Sequence, residues 1–396
     1  MMADAHIAPA NMKRVQQLAL AAGVLFLILF AIGAFTNRPQ FFHSYLYGFT
    51  FWLGISMGSL ALLMLQHLTG GGWGLVIRRV LEAATRTLPL MLALFIPVLA
   101  GAKWLYPWTH PEEIATHPSL AEKVDKYLNL PFFTARAALY FAIWLVLAFY
   151  LNRWSLQQDR TAEPALATRM RVLSGPGLVL FILTVTFASI DWYMSLEPEW
   201  FSTIYGFIFV GAWAVGALAF VIAVMALLSQ HEPMQRVVAP LHFHDLGKLL
   251  LALVMLWAYF AFSQFLIVWS GNLPEEIEWY LPRGQGGWGA LALAVIILHF
   301  GLPFLFLLSR SLKRNPQRLV IVAVLILLMR LIDLLWMLAP SFTGEHFYIS
   351  WMDVVAPLAI GGLWISAFVW QLGKRALIPM NDQQYASVLE QAQAAH

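Results

Sequence analysis

The chain contains no cysteine, which excludes disulfides, cysteine-ligated clusters and thiol chemistry carried by this polypeptide. Charge is scarce too: Asp, Glu, Lys and Arg make up 11% of the 396 residues, against about 25% in an ordinary soluble domain. There is no Gly-rich phosphate loop and no soluble catalytic triad pattern. What is present is apolar. Hydrophobic residues account for 60% of the chain, with 17 Trp and 28 Phe, the composition of a polytopic membrane protein. The pI near 9.1 does not signify nucleic-acid affinity, because the cations sit in short segments between apolar runs.

Ten such runs are each long enough to cross a bilayer, which takes about 20 apolar residues. They are Val15–Thr36, Phe41–Leu68, Thr85–Trp104, Pro131–Asn152, Gly177–Leu196, Phe201–Leu228, Leu246–Ser270, Trp288–Leu308, Leu319–Ala339 and Met352–Leu372. The first is too long for a signal-peptide core and lacks a small-residue cleavage site, so it is expected to remain as a span. The cations then sort by side. Lys13, Arg14, Arg78, Arg79, Arg153, Arg160, Arg169, Arg171, Arg236, Arg310, Lys313, Arg314, Arg318, Lys374 and Arg375 fall on one face. Glu112, Glu113, Glu197, Glu199, Glu275, Glu276, Glu278 and Glu345 fall on the other. The positive-inside rule then places both termini in the cytoplasm. The expected fold is all-α: one integral membrane domain over residues 1–380, followed by a polar cytoplasmic tail over 381–396.

Two loops on the acidic face exceed simple turns. Pro107–Leu130 holds a polar segment around Ser119–Tyr127 that suits a short surface helix. Asn272–Gly287, with Pro274, Pro282 and a Gly-rich end, suits an ordered loop or re-entrant cap. Pro89 and Pro97 should kink the third span, and Gly54-Ile-Ser-Met-Gly58 is a small-residue pair that lets a neighbouring helix approach closely.

Charges inside the spans carry the functional information. Arg330 and Asp333 lie near the middle of the ninth span, where each costs roughly 2.5–3.5 kcal/mol in lipid, so that side must face other helices or water. At i,i+3 spacing they can form a structural pair or part of a proton path. Asp191, about one turn inside the acidic end of the fifth span, has no cation at i±3 or i±4, so its partner must lie on another helix. Thr184 and Ser195 share its face. On the seventh span Lys248, Tyr259, Ser263 and Ser270 fall within an arc of roughly 100°, with His244 just before them, and are expected to line a hydrated seam. Lys248 and Tyr259 are about 16 Å apart at 1.5 Å rise per residue. Gln264 lies outside that arc. Tyr45, Trp52, Ser56 and His67 align on the second span, and His299 sits near the middle of the eighth. Each has a structural alternative: a lone Ser or Thr can bond its own i−4 carbonyl, and Lys248 and His67 lie where side chains snorkel to water. Lys103 and Arg136 read as surface anchors, and Arg86 as a partner with Arg78 and Glu82 in i,i+4 pairs on the basic face. A bis-His haem needs two ligands at matching depth; His43, His242, His244 and His346 lie at or beyond span ends, and His299 has no mid-depth mate.

Two blocks carry a family resemblance. One is Asp191-Trp-Tyr-Met-Ser-Leu-Glu-Pro-Glu-Trp-Phe-Ser-Thr-Ile-Tyr-Gly206. The other is His242-Phe-His-Asp-Leu-Gly-Lys248 with the following Trp257-Ala-Tyr-Phe-Ala-Phe-Ser-Gln-Phe-Leu-Ile-Val-Trp-Ser-Gly-Asn-Leu-Pro-Glu-Glu276. They resemble signatures of the F subunit of bacterial alternative complex III, itself similar to the membrane subunit of polysulfide reductase. The resemblance implies two four-helix bundles, spans two to five (41–152 with 177–196) and six to nine (201–339), with the first and tenth helices outside. It also implies a multi-pass subunit of the bacterial inner membrane, in a respiratory-chain quinol:cytochrome c oxidoreductase. Its partners would be a C-type membrane subunit, an iron–sulfur subunit and multihaem c-type cytochromes, with membrane lipid around it and no nucleic acid.

The leading expectation is a subunit without catalysis, metal or cofactor of its own that conducts protons coupled to quinol oxidation at a partner. Two water-filled half-paths, through His244 and Lys248 on one side and Asp191 on the other, would meet near His299, Arg330 and Asp333, with Tyr259 and Ser263 along the seam. The alternatives are a structural scaffold and a secondary quinone-binding subunit, with quinone or lipid as the ligand. A stand-alone transporter would expect broken helices in corresponding places of the two halves, and Pro89 and Pro97 have no counterpart on the seventh span.

Overall fold

The protein is described by a computed structural model covering residues 11–393; residues 1–10 and 394–396, which include the end of the expected tail, lie outside the described residues. The described residues hold no β-strand, and ten of their helices are long and apolar enough to cross a membrane, the architecture of a multi-pass membrane protein. The ten are α1 (Met12–Thr36), α2 (Arg38–Thr69), α3 (Gly72–Ala100), α4 (Leu130–Thr161), α5 (Pro164–Trp192), α6 (Tyr205–Leu228), α7 (Pro240–Gly271), α8 (Gly286–Leu308), α9 (Pro316–Leu338) and α10 (Trp351–Leu372). A short α11 (Tyr385–Gln393) follows.

Local chemistry starts these helices. Asn37, Asn129 and Asn315 each accept a hydrogen bond from a backbone N–H of the first turn, and Pro39, Pro131 and Pro316 stand where a helix has no use for a proline N–H. Ser350 caps α10 while the Asp353 carboxylate accepts from the Ser350 N–H at 2.8 Å. The expected kink at Pro89 is a break just ahead of it, at Arg86 and Thr87, because proline supplies no N–H to the preceding turn.

The third helix corrects the sequence reading. It begins at Gly72 rather than Thr85, and its first half buries Arg78, Arg79 and Glu82. Hydropathy stops at those charges, yet they neutralise one another and can be enclosed. The acidic-face loops are ordered as expected, with helical turns at Pro118–Lys126, Pro274–Ile277 and Tyr280–Arg283. The polar tail is docked. Asp382 accepts from Arg78 at 2.6 Å, Asn381 donates to the Asp159 carbonyl at 2.7 Å, and α11 packs on α3.

α2 and α6 form the centre and pack on each other. α3, α5 and α10 lean on α2, and α4 lies against α5. α5, α7 and α9 lean on α6, α8 lies against α7 and α9, and α1 lies along α10. The central contact is close because Gly54 and Gly58 face Trp213 of α6; a Cβ at Gly58 would run into the Trp213 carbonyl and the Ala217 methyl. Neither obstacle is a flexible side-chain end, so the helices must part. Gly58→Ala is expected to lower stability by about 1–3 kcal/mol, the range for overpacking. Thermal unfolding in detergent would check it, and a midpoint equal to that of the parent would show that the contact tolerates a methyl group.

Candidate functional site

Three buried polar groups run through the molecule. The central one lies between α7, α8 and α9. His299 is fully buried, and its ring stands edge-on to Trp257 with centroids 4.4 Å apart. Neither ring nitrogen of His299 has a partner among the described residues, nor has the Trp257 indole N–H. The backbone from Val295 to Gly301 is a π-helical turn, a widening of the helix that is rare and frequent at functional sites. Arg330 lies within electrostatic reach of His299 and is ion-paired to Asp333; both are buried, as the i,i+3 spacing allows. The Arg330 side chain also lines a small cavity between α2, α6 and α9, with Thr50, Gly54, Trp213 and Gly216.

From there polar groups continue to the acidic face. The Tyr47 hydroxyl donates to the Leu331 carbonyl at 3.0 Å. A second cavity holds Tyr47, His43 and Asp353 together with Gln40, and the Asp353 carboxylate accepts from Ser44 at 2.6 Å and Gln40 at 3.2 Å. His43 stacks on Phe342 and bonds the Trp104 carbonyl at 3.0 Å. Towards the basic face the buried side chains of α7 and α9 include the apolar Leu250, Val254, Val322 and Ile326.

The second group is built on Asp191. Its missing intrahelical partner is found on α4: Arg136 donates twice to the carboxylate, at 2.8 and 2.9 Å, and Tyr140 donates once, at 2.7 Å. Arg136 is therefore not a surface anchor. It is buried, stacks on Tyr127 and Phe132, and its fork matches the two carboxylate oxygens. Thr184 accepts from the Trp144 indole at 2.8 Å and Ser195 donates to the Asp191 carbonyl at 2.5 Å. Lys103 stays exposed, lying over Trp104.

The third group is a buried ion cluster at the basic end. Glu82 accepts from Arg79 at 2.7 Å, Arg78 at 3.1 Å, Arg375 at 3.2 Å and Ser155 at 2.5 Å, and Arg79 also pairs with Asp159. Arg86 does not join this set through an i,i+4 pair. It reaches the Gln371 carbonyl of α10 instead, because the break at Thr87 turns it aside.

The seventh-span stripe does not line the interior of this chain. Tyr259 is 64% exposed, the Lys248 side chain 54%, Ser270 is exposed, and His244 and Ser263 are half-buried at the margin. The arc that α7 turns inward is Leu246, Leu250, Val254, Trp257, Gln264 and Val268. Gln264, outside the expected stripe, is buried with polar partners: it accepts from Ser202 at 2.8 Å and donates to Tyr280 at 3.1 Å. On the second span Tyr45, Trp52 and Ser56 are satisfied by Leu94, Pro357 and Thr87, and so act in packing.

No family model and no curated protein matches the chain. Of the eight residues singled out by sequence, the fold joins His299, Arg330 and Asp333. It sets Asp191 apart beside α4, and leaves His244, Lys248, Tyr259 and Ser263 along the outer side of α7. The sequence reading passed over Tyr140, Tyr47 and Asp353. Arg136 and Tyr140 carry a usable signal, an i,i+4 pair near the start of the fourth span, at the depth of Asp191.

Proposed function

We propose that this chain is the energy-coupling membrane subunit of a bacterial quinol:cytochrome c oxidoreductase of the alternative complex III kind, and that it conducts protons across the cytoplasmic membrane. The two sequence blocks and the ten-helix architecture support the assignment. α2–α5 and α6–α9 would be its two four-helix bundles, with both termini in the cytoplasm. The observation that carries proton conduction is His299: a buried imidazole whose two nitrogens have no partner among the described residues, in a widened turn beside an ion pair. A proton on His299 stands next to the Arg330 guanidinium, and their repulsion in a low-dielectric interior drives it onward. Tyr47 and Asp353 offer the route to the acidic face, in place of the saturated Asp191. The apolar layer of Leu250, Val254, Val322 and Ile326 acts as the gate on the other side. Quinol oxidation belongs to a partner, the C-type membrane subunit, beside the iron–sulfur subunit and multihaem cytochromes, and this chain holds no haem.

The scaffold reading has its own support in Asp191 and Glu82, whose carboxylates are fully engaged by guanidinium groups. Purification through a tag on this chain tests membership: multihaem cytochromes and an iron–sulfur subunit should co-purify, and recovery as a lone polytopic protein would undo the assignment. In reconstituted vesicles His299→Phe should keep quinol oxidation and lose proton transfer through this subunit. Unchanged coupling in an assembled complex would leave the scaffold.

A further inference from the structure

The block His242–Lys248 is left without a part in that path, and its surroundings hold an unbalanced charge. Lys313 belongs to the short helix Arg310–Arg314 between α8 and α9, and its stem crosses α7 where Gly247 has no side chain; a Cβ there would stand 2.7 Å from the Lys313 Cγ. The crossing leaves Lys313 only 6% exposed. The stem is enclosed while the ammonium at its end reaches the surface, so the charge stands at a fixed place open to a ligand. Lys313 makes no hydrogen bond and no ion pair among the described residues. The nearby carboxylate, Asp245, is taken by Lys248 at 2.7 Å. Lys248 and Arg310 stand close enough to act on the same His244 ring as Lys313. Removal from water and the adjacent Lys248 hold the Lys313 ammonium below its ordinary pKa. Three cations thus face one engaged carboxylate, next to the outward apolar surface of α7: Met255, Leu256, Tyr259 and Phe262.

We infer that Lys313, Lys248 and Arg310 form a binding site for the phosphate of an anionic phospholipid, whose acyl chains lie along the outer face of α7. The phosphate supplies a counter-charge to the three cations, and the chains lie along the outward apolar side chains of α7. Basic pockets between membrane helices recognise headgroups in this way. The outward arc of α7 then has a use: Lys248 grips a headgroup, and Tyr259 and Ser263 lie beside its chains.

The test uses the full chain purified in detergent, with phosphatidylglycerol, phosphatidylcholine or inorganic phosphate added, bound lipid being read by native mass spectrometry and stability by thermal unfolding. Phosphatidylglycerol should bind at least tenfold tighter than phosphatidylcholine and raise the unfolding midpoint. Lys313→Met keeps the stem and removes the charge, and should abolish that preference; if it fails to fold, Lys248→Met with Arg310→Gln should weaken it at least tenfold. Equal binding of the two lipids, or an undiminished preference in the foldable variants, would overturn the site. Displacement of phosphatidylglycerol by millimolar inorganic phosphate would reassign it to a free anion and overturn the lipid. Photo-crosslinking from position 259 in native membranes should label lipid; labelling of a protein there instead would give the face to a partner chain and overturn it as well.

Discussion

Glu82→Gln is expected to destabilise the protein by about 3–5 kcal/mol, the range for breaking a buried ion pair. The carboxylate is fully buried and accepts from three guanidinium groups, those of Arg78, Arg79 and Arg375. An amide keeps the shape but removes the charge, leaving cations in excess with only Asp159 and Asp382 to balance them. The effect should reach beyond α3, since Arg375 follows α10 and Arg78 holds Asp382 of the docked tail. Thermal unfolding in detergent should show the loss. Limited proteolysis should show release of the segment around Asn381, because Arg78 would lose the geometry that presents it to Asp382. Pairing Glu82→Gln with Arg79→Met removes one charge of each sign and should recover part of the loss. Full stability in the single variant would mean that water reaches the cluster and screens it.

The second large effect concerns Arg330 and Asp333. Asp333→Asn strands a buried guanidinium, with an expected cost of about 3–5 kcal/mol, seen as a lowered unfolding midpoint or reduced assembly. Removing both charges, Arg330→Leu with Asp333→Leu, replaces the pair with apolar groups of similar bulk and should restore stability, since such exchanges are often neutral or better. That double variant separates the two functional readings. A static pair should return full activity along with assembly. A proton path should assemble and oxidise quinol while proton transfer stays lost, because the charge beside His299 has gone. Normal stability and normal coupling in both single variants would reject both readings.

Most of the helical framework is legible in the sequence. Bilayer length and backbone hydrogen-bond satisfaction are local demands, and each helix meets them with its own residues, so ten apolar runs become ten helices. Asn caps and first-turn prolines are equally local. The Arg330–Asp333 pair was readable for the same reason, since residues three apart share one helix face. Asp191 is the intermediate case. The sequence demanded an interhelical partner for it, but Arg136 was found only once α4 lay against α5.

The seventh span shows where sequence pattern stops. Its polar arc was expected to line a seam, and within this chain that arc stands on the outer side of α7. In a soluble protein such an arc points to water, whereas lipid is as apolar as a protein core, so hydropathy does not say which face of a membrane helix turns inward. Packing decided that: Trp257 meets His299 and Gln264 meets Ser202, which leaves Lys248 and Tyr259 outside. The first half of α3 shows the converse, since a run too charged to read as buried became buried once Glu82 met Arg375 from beyond α10. The sequence by itself determined which segments are helices and which charges need partners. The tertiary structure decided which partner each charge has and which face each helix hides, because both depend on contacts between residues far apart in the chain.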